Sequence, residues 1–369
     1  MSERTFVGGI HPSYFKEFTA GMPIAPARSP SQVIIPLHQN IGAPCEATVQ
    51  VGDEVKVGQK IGEPKGFVSA PIHASVSGKV VKIEPFNHPL GNPVIAVFIE
   101  NDGQDTPYEG MKPGKPLEEL TPEEIIAISK EAGLVGLGGA TFPTHVKLSP
   151  PPDIAIDTVI INGAECEPFL TADHALMLER ADDIVYGLKA FMKALNATKG
   201  IIGIEDNKPD VIDKMKELTA NEDRIQVKSL KTKYPQGGER QLIYTLTGRK
   251  LNSQKIPADI GCIVNNAATV AAIYMAVAKT TPLTHMIVTV SGDAVAEPQN
   301  FRVPIGMDFG ELVEAAGGFK TLPQKIVFGG PMMGTAIYTY SVPVTKTTSA
   351  LLGFIKDEAA VAESICIRC

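Results

Sequence analysis

The chain has 369 residues, 44% hydrophobic and 20% charged, with 34 glycines, 29 prolines and a formal net charge of -7. That length exceeds one ordinary core and points to two or three domains, and the composition is that of a loop-rich globular protein, not a disordered one. The acidic balance, with no basic run and no aromatic-basic interleaving, excludes a nucleic-acid surface, and no apolar run reaches the roughly 18 residues of a membrane span.

The first residues, MSERTFVGGIHP, lack the charged-then-apolar pattern of a secretory signal, so the chain reads as soluble and cytoplasmic, with any membrane contact made through partners. Residues 1–30 contain His11-Pro12, Gly21, Pro23, Pro26 and Pro30 with little periodicity. They read as an extended surface leader without chemistry. From 31 to 100, short β-type runs broken by Gly-Asp and Gly-Gln turns predict a small barrel or sandwich. Residues 101–118, polar and rich in Gly and Pro, read as a linker.

From 119 to 280 helices and strands alternate. Thr121 as N-cap, Pro122, early Glu123 and Glu124, and Gly133 as a stop predict a helix over 121–132. Strands are expected at 158–161, 200–204, 224–230 and 261–264, and helices at 171–195 (one or a pair), 209–218, 238–246 and 267–279. This order predicts a parallel α/β sheet with right-handed crossovers and ligands beyond its carboxyl ends, three of which are polar: 162–167, 205–207 and 265–266. Over 281–345 a hairpin, a helix at 309–316 and a returning strand at 324–330 suggest a β-grasp module.

Two stretches carry chemistry. Gly133, Gly136, Gly138, Gly139 and Ala140 lack bulk, so successive backbone N–H groups can turn toward one anion while Lys147 adds charge. The preceding segment is a helix, not a strand, which rules out a dinucleotide fingerprint of the Rossmann type. Phe142, beside the loop, suits stacking on a nicotinamide or adenine ring. Beyond the strand at 158–161 stand Asn162, Glu165, Cys166 and Glu167. An extended chain would send both carboxylates to one side and Cys166 to the other, and the paired charges would raise at least one pKa. Cys166 reads as structural.

The five cysteines are odd in number and scattered, which does not suggest a disulfide framework. Cys366 and Cys369 have the CxxC spacing of iron–sulfur or zinc ligands, but two thiolates complete neither site.

The segments GLGGATFPTHVKL (136–148) and NGAECEPF (162–169) resemble the flavin and NADH motifs of the NADH-oxidising subunit of respiratory complex I. They are more closely similar to the RnfC family, a subunit of the Rnf ferredoxin:NAD oxidoreductases. SAPIHASVSG at 69–78, YPQGGE at 234–239 and GGPMMG at 329–334 extend that resemblance over nearly the whole chain. It implies an α/β protein with an N-terminal barrel-sandwich hybrid β module, a central parallel FMN/NADH domain and a C-terminal β-grasp module of the soluble-ligand-binding type. The first module also resembles biotinyl and lipoyl carriers, but Lys65 lacks their flanking sequence and reads as a turn lysine.

Carried over position by position, the resemblance implies cofactor contacts at Gly136, Gly138, Gly139, Ala140, Thr144, Lys147, Asn162, Glu165 and Glu167. It adds Phe142 and Glu239 toward NADH, and Asn265 and Asn266 near the flavin phosphate. Leu148 departs from the Trp of the complex I motif. No catalytic side chain is implied, because hydride passes between FMN and NAD(H). Residues 346–369 would begin a region holding two [4Fe-4S] clusters, with the chain stopping inside its first motif at Cys366 and Cys369. Implied partners are the other Rnf membrane and iron–sulfur subunits, NADH, and ferredoxin indirectly, on the cytoplasmic side of the membrane. Two alternatives stay open: an RnfC-like subunit feeding a soluble reductase, and a non-catalytic scaffold with an empty flavin site.

Overall fold

The computed structural model describes residues 4–357 and 360; Cys366 and Cys369 lie outside the described residues. Short, half-apolar runs make the early strands: β1 (Ala25–Pro26), β2 (Gln32–Pro36), β3 (Cys45–Ala47), β4 (Glu54–Val55), β5 (Lys60–Pro64), β6 (Ile72–His73), β7 (Gly78–Phe86) and β8 (Val94–Asn101). Two antiparallel sheets result, ordered β2-β8-β7-β4 and β3-β5-β6. Val33, Ile35, Ile61, Ile72, Val80, Val97 and Ile99 fill the space between them. These elements make a small barrel-like β module.

The central elements are α1 (Pro122–Glu131), α2 (Thr144–Lys147), β9 (Thr158–Gly163), α3 (Ala172–Glu179), α4 (Ala181–Ala194), β10 (Lys199–Glu205), α5 (Pro209–Leu218), β11 (Ile225–Leu230), α6 (Glu239–Thr247), β12 (Cys262–Asn266) and α7 (Ala267–Lys279). α1 starts at a full capping box, Thr121 accepting from the Glu124 amide and Glu124 accepting from the Thr121 amide. The strands run parallel in the order β11-β10-β9-β12. β9 is buried on both faces, which is why Val159-Ile160-Ile161 is a continuous apolar run. Ile160, Ile201 and Val264 pack on α6, while Val159, Ile161 and Ile202 join the main core with Ile184, Leu188 and Phe191 of α4.

The last elements are β13 (His285–Ser291), β14 (Gln299–Pro304), α8 (Phe309–Ala315), β15 (Lys325–Phe328), β16 (Thr335–Ile337) and β17 (Ala350–Phe354). Their sheet is ordered β1-β14-β13-β17-β15-β16. It therefore continues past residue 345: β17 is inserted between β13, which it meets in parallel, and β15, which it meets antiparallel. The leader does not lie loosely on the surface either, since β1 pairs in parallel with β14. The carboxyl ends of β9 and β12, the end of β15 and the edge of the first module all face one cavity.

Candidate functional site

The glycine loop is pinched at its base. Val135 and Pro143 form a bridge and the Gly136 amide donates to Phe142 O at 2.9 Å. Its tip is tied to the start of α7 by the Leu137 amide, 2.9 Å from Thr269 Oγ1. Gly138 has φ +74°, and a Cβ there would stand 2.9 Å from Asn266 Nδ2, so the backbone can pass Asn266 only without a side chain. The amides of Gly138, Gly139 and Ala140 donate to no other described residue, and all three residues border a cavity of about 1140 Å³. Asn266 caps α7 by accepting from the Ala268 amide at 2.7 Å, so the positive end of a thirteen-residue helix opens beside the loop.

The second motif is not extended. β9 ends at Gly163, and Glu165 takes a left-handed conformation with φ +49°. This corrects the expectation that alternation would set both carboxylates on one side, because the left-handed residue breaks the alternation and each carboxylate finds its own partner. Glu165 Oε1 accepts the Asp173 amide at 2.7 Å. Glu167 Oε2 accepts the Met332 amide at 2.9 Å, and a Cβ on Gly330 would overlap that carboxylate. Lys16, from the leader, holds the loop from behind, donating to Glu165 O at 2.9 Å, Glu167 O at 3.1 Å and Leu170 O at 2.6 Å.

Burial raises the Glu165 carboxyl to about 7, with Lys16 opposing the rise and Asp173 adding to it. Glu167 and Asp173 are raised by burial as well. An upward shift was expected from the pairing of Glu165 with Glu167; its main cause is instead desolvation, with Asp173 as the like-charged neighbour. Burial pushes the Cys166 thiol up to about 11, consistent with an inert, structural cysteine.

Of the thirteen candidate residues, Gly138, Gly139, Ala140, Asn162, Glu165, Glu167 and Asn266 border the cavity. Gly136, Phe142, Thr144, Lys147, Glu239 and Asn265 stand outside its wall. Lys147 lies behind the loop, its ammonium 2.6 Å from Val264 O and 3.9 Å from Glu239, with its pKa lowered by burial. Thr144 Oγ1 and Asn265 Nδ2 are buried without a partner among the described residues. The reading of single motifs missed Lys16, Asp173 and Lys208, which meet the loop only in three dimensions. The GGPMMG resemblance did mark Gly330 and Met332. The first module also supplies cavity wall at His38, Asn40, Ile41 and His88.

The residues present fit FMN. Three unused amides and a helix N-terminus suit a phosphate, the cavity has apolar walls for a ring system, and its volume exceeds the roughly 300–1,000 Å³ of ordinary small-molecule sites, leaving room for a second ligand.

The family models agree with this picture. That of the Nuo51 FMN-binding domain matches residues 129–275, that of the RnfC barrel sandwich hybrid domain residues 4–104, and that of the SLBB domain residues 287–336. The class is thus a Nuo51-type flavin-binding domain set between a barrel-sandwich hybrid and an SLBB domain.

The chain is 48% identical, over 99% of its length and 83% of the relative's, to a subunit of the Na(+)-translocating ferredoxin:NAD(+) oxidoreductase complex of Acetobacterium woodii. It is 48% identical, over 99% of its length and 80% of the relative's, to the corresponding subunit of the proton-translocating ferredoxin:NAD(+) oxidoreductase complex of Clostridium ljungdahlii. Against its counterpart in the ion-translocating oxidoreductase complex of Rhodobacter capsulatus the identity is 40%, over 98% and 70% of the two chains. The chain belongs to the family of these subunits, RnfC. Among solved structures, the NAD+-reducing [NiFe]-hydrogenase in its air-oxidised state shares the fold, with TM-score 0.56 and 22% identity over 65% of this chain and 47% of that one.

Proposed function

We propose that this chain is the electron-entry and electron-exit subunit of an ion-translocating ferredoxin:NAD oxidoreductase. It passes hydride reversibly between NADH and FMN, and electrons leave singly to iron–sulfur clusters. The observation that carries this reading is the cavity where the free amides of Gly138, Gly139 and Ala140, the end of β9 and the N-terminus of α7 converge.

When bound, FMN supplies the two-electron acceptor that can also give up electrons one at a time. The chain's own residues bind and orient it. The loop amides and the α7 N-terminus take the phosphate, with the Lys147 charge behind them. Asn162, whose Nδ2 donates to Gly237 O at 2.9 Å, fixes the 234–238 segment against the end of β9. Glu165 and Glu167, which border the cavity, would contact the cofactors there, Glu167 braced by the Met332 amide. Phe142 and Glu239 belong to this reading as NADH contacts formed on binding, and Thr144 and Asn265 as flanking donors or acceptors.

No helix among the described residues is long and apolar enough to cross a membrane. We place the subunit peripherally, on the cytoplasmic side, held by other Rnf membrane and iron–sulfur subunits and serving ferredoxin through them. Cys366 and Cys369 are proposed as the first ligands of a [4Fe-4S] region.

The test is the visible spectrum of the purified chain reconstituted with FMN under anaerobic conditions. Retained flavin absorption that bleaches on NADH addition is expected. A folded sample that fails to take up FMN would overturn the cofactor reading and favour the scaffold.

A further inference from the structure

Behind loop 164–170, Glu165 is joined to charged groups on the leader, on β10 and at the start of α5 that cofactor binding does not account for. Lys16 Nζ stands 3.9 Å from Glu165 Oε2, and Lys208 Nζ stands 3.7 Å from Glu205 Oε2 and 2.7 Å from Ala164 O. Asp173 joins through its amide on Glu165 Oε1. The charges act across the group: Lys208 is felt by Glu165 and Asp173, and Lys16 by Glu205. Fully ionised, these three carboxylates against two ammoniums leave one negative charge uncompensated in an interior that disfavours it, a balance that one bound proton would restore.

A second observation is independent of that count. Glu165 Oε2, Glu205 Oε2 and Tyr14 Oη are buried without a hydrogen-bond partner among the described residues. Glu165 borders the cavity, whereas Glu205 is fully buried at the end of β10. Tyr14, on the half-buried leader, feels the charges of Glu205 and of the exposed Asp206. Glu165 thus stands at the cavity and Glu205 is felt from the leader by Tyr14, the two carboxyls sharing the charges of Lys16 and Lys208.

We propose that this cluster carries one exchangeable proton between the cofactor cavity and solvent, with Glu165 as the inner station and Glu205 as the outer one. The proposal rests on the FMN and NADH reading. NADH oxidised by one-electron acceptors gives NAD⁺, two electrons and one proton: the nicotinamide C–H bond breaks, its electron pair leaves singly to iron–sulfur centres, and one proton stays in the pocket. That proton forms an O–H bond on Glu165, moves through the cluster to Glu205 and leaves past Tyr14. In the reverse direction it enters by the same route.

Burial brings both Glu165 and Glu205 to about 7, where a carboxyl gives and takes a proton with equal ease. Lys16 and Lys208 hold both down, Asp173 pushes Glu165 up and Asp206 pushes Glu205 up. The Lys233 amide, 3.3 Å from Glu205 Oε1, favours its ionised form, and Cys166, beside both, stays a thiol.

The test is an infrared titration of the flavin-free chain across neutral pH, together with Glu165→Gln, Glu205→Gln and Lys208→Met. One protonated-carboxyl band titrating near pH 7 is expected. It should shrink in both Gln variants and shift upward by about one pH unit in Lys208→Met, where a compensating charge is gone. The absence of that band in the wild type, or its survival unchanged in Glu205→Gln, overturns the proposal. FMN uptake is read on the same samples, so a chain that shows the band but binds no flavin defeats the cofactor reading while the proton store stands.

In the FMN-loaded protein, oxidised by ferricyanide after NADH reduction, proton release to a pH dye should slow at least about tenfold in Glu205→Gln. Release as fast as in the wild type removes the outer station.

Discussion

Lys16 sits in a stretch with no periodic pattern, yet its ammonium is the shared donor to three carbonyls of a loop 149 to 154 residues further along the chain. Charge-assisted bonds of this kind fix a loop more firmly than neutral ones, and the same ammonium offsets part of the Glu165 charge. Lys16→Met is therefore expected to cost about 3 kcal/mol of stability and to weaken FMN binding at least about tenfold, as read by urea unfolding and flavin fluorescence titration. Unchanged flavin affinity would confine Lys16 to a purely structural tie. Gly138 makes a sharper case, because its limits are steric. An alanine there would have to hold φ +74° and crowd Asn266 Nδ2, so Gly138→Ala should cost about 1–2 kcal/mol and disturb the amides proposed to take the phosphate. Gly139, whose Cβ would meet nothing within 4 Å, is the control, and Gly139→Ala should leave stability nearly unchanged.

Two helix caps separate local stability from function at the level of elements. Thr121 and Asn266 each accept from a first-turn amide, so removing either cap should cost about 1 kcal/mol. Asn266 also donates to Asp173 Oδ2 at 2.6 Å beside the cavity, whereas Thr121 lies at the far end of the ten-residue α1 from the glycine loop. Asn266→Ala should lower both the unfolding midpoint and FMN affinity, and Thr121→Ala only the midpoint. Equal flavin losses in the two variants would mean that the affinity follows overall stability. The same elements show what a sequence discloses. α5 and α7 stand over the expected 209–218 and 267–279, because their apolar positions and caps are local signals. β17 was not legible: Ala-Leu-Leu-Gly-Phe is buried because it is inserted between β13 and β15, a pairing made of residues far away in the chain. The two glutamates were found by their motif, but their directions were not, because the left-handed turn at Glu165 is set by Lys16 and Asp173 rather than by its neighbours in sequence.

Across the whole molecule, three modules meet on one buried amine. Lys346, just before β17, is fully buried; its Nζ donates to Pro71 O at 2.8 Å in the first module and to Gly133 O at 2.7 Å after α1, and its backbone amide donates to Gln39 Oε1 at 2.9 Å. Burial brings its pKa down from 10.5 to about 7, and the neutral amine still carries two N–H groups for the two carbonyls. Between about 7 and 10.5 the unfolded lysine keeps a proton that the folded one has released, so the unfolded state holds more protons and stability rises with pH. Other groups act elsewhere or can be subtracted. Glu165 and Glu205, raised from 4.5 to about 7, lose stability as pH climbs through that lower window, and His73 and His285, lowered from 6.5 to about 3, oppose them there. Cys45, raised above 9.0, works against stability only from about that pH upward. Lys16 and Lys147, also lowered by burial, add to the alkaline rise in wild type and variant alike. Urea unfolding from about pH 7 to about 9 should therefore show a gain of up to about 1.4 kcal/mol per pH unit from Lys346. Lys346→Met should lose that part of the rise and, with Pro71 O and Gly133 O left without their donor, stand about 1–3 kcal/mol below wild type at the alkaline end. A variant whose stability climbs as steeply as the wild type would assign the titration to another group and reduce Lys346 to a packing residue at the junction of the three modules.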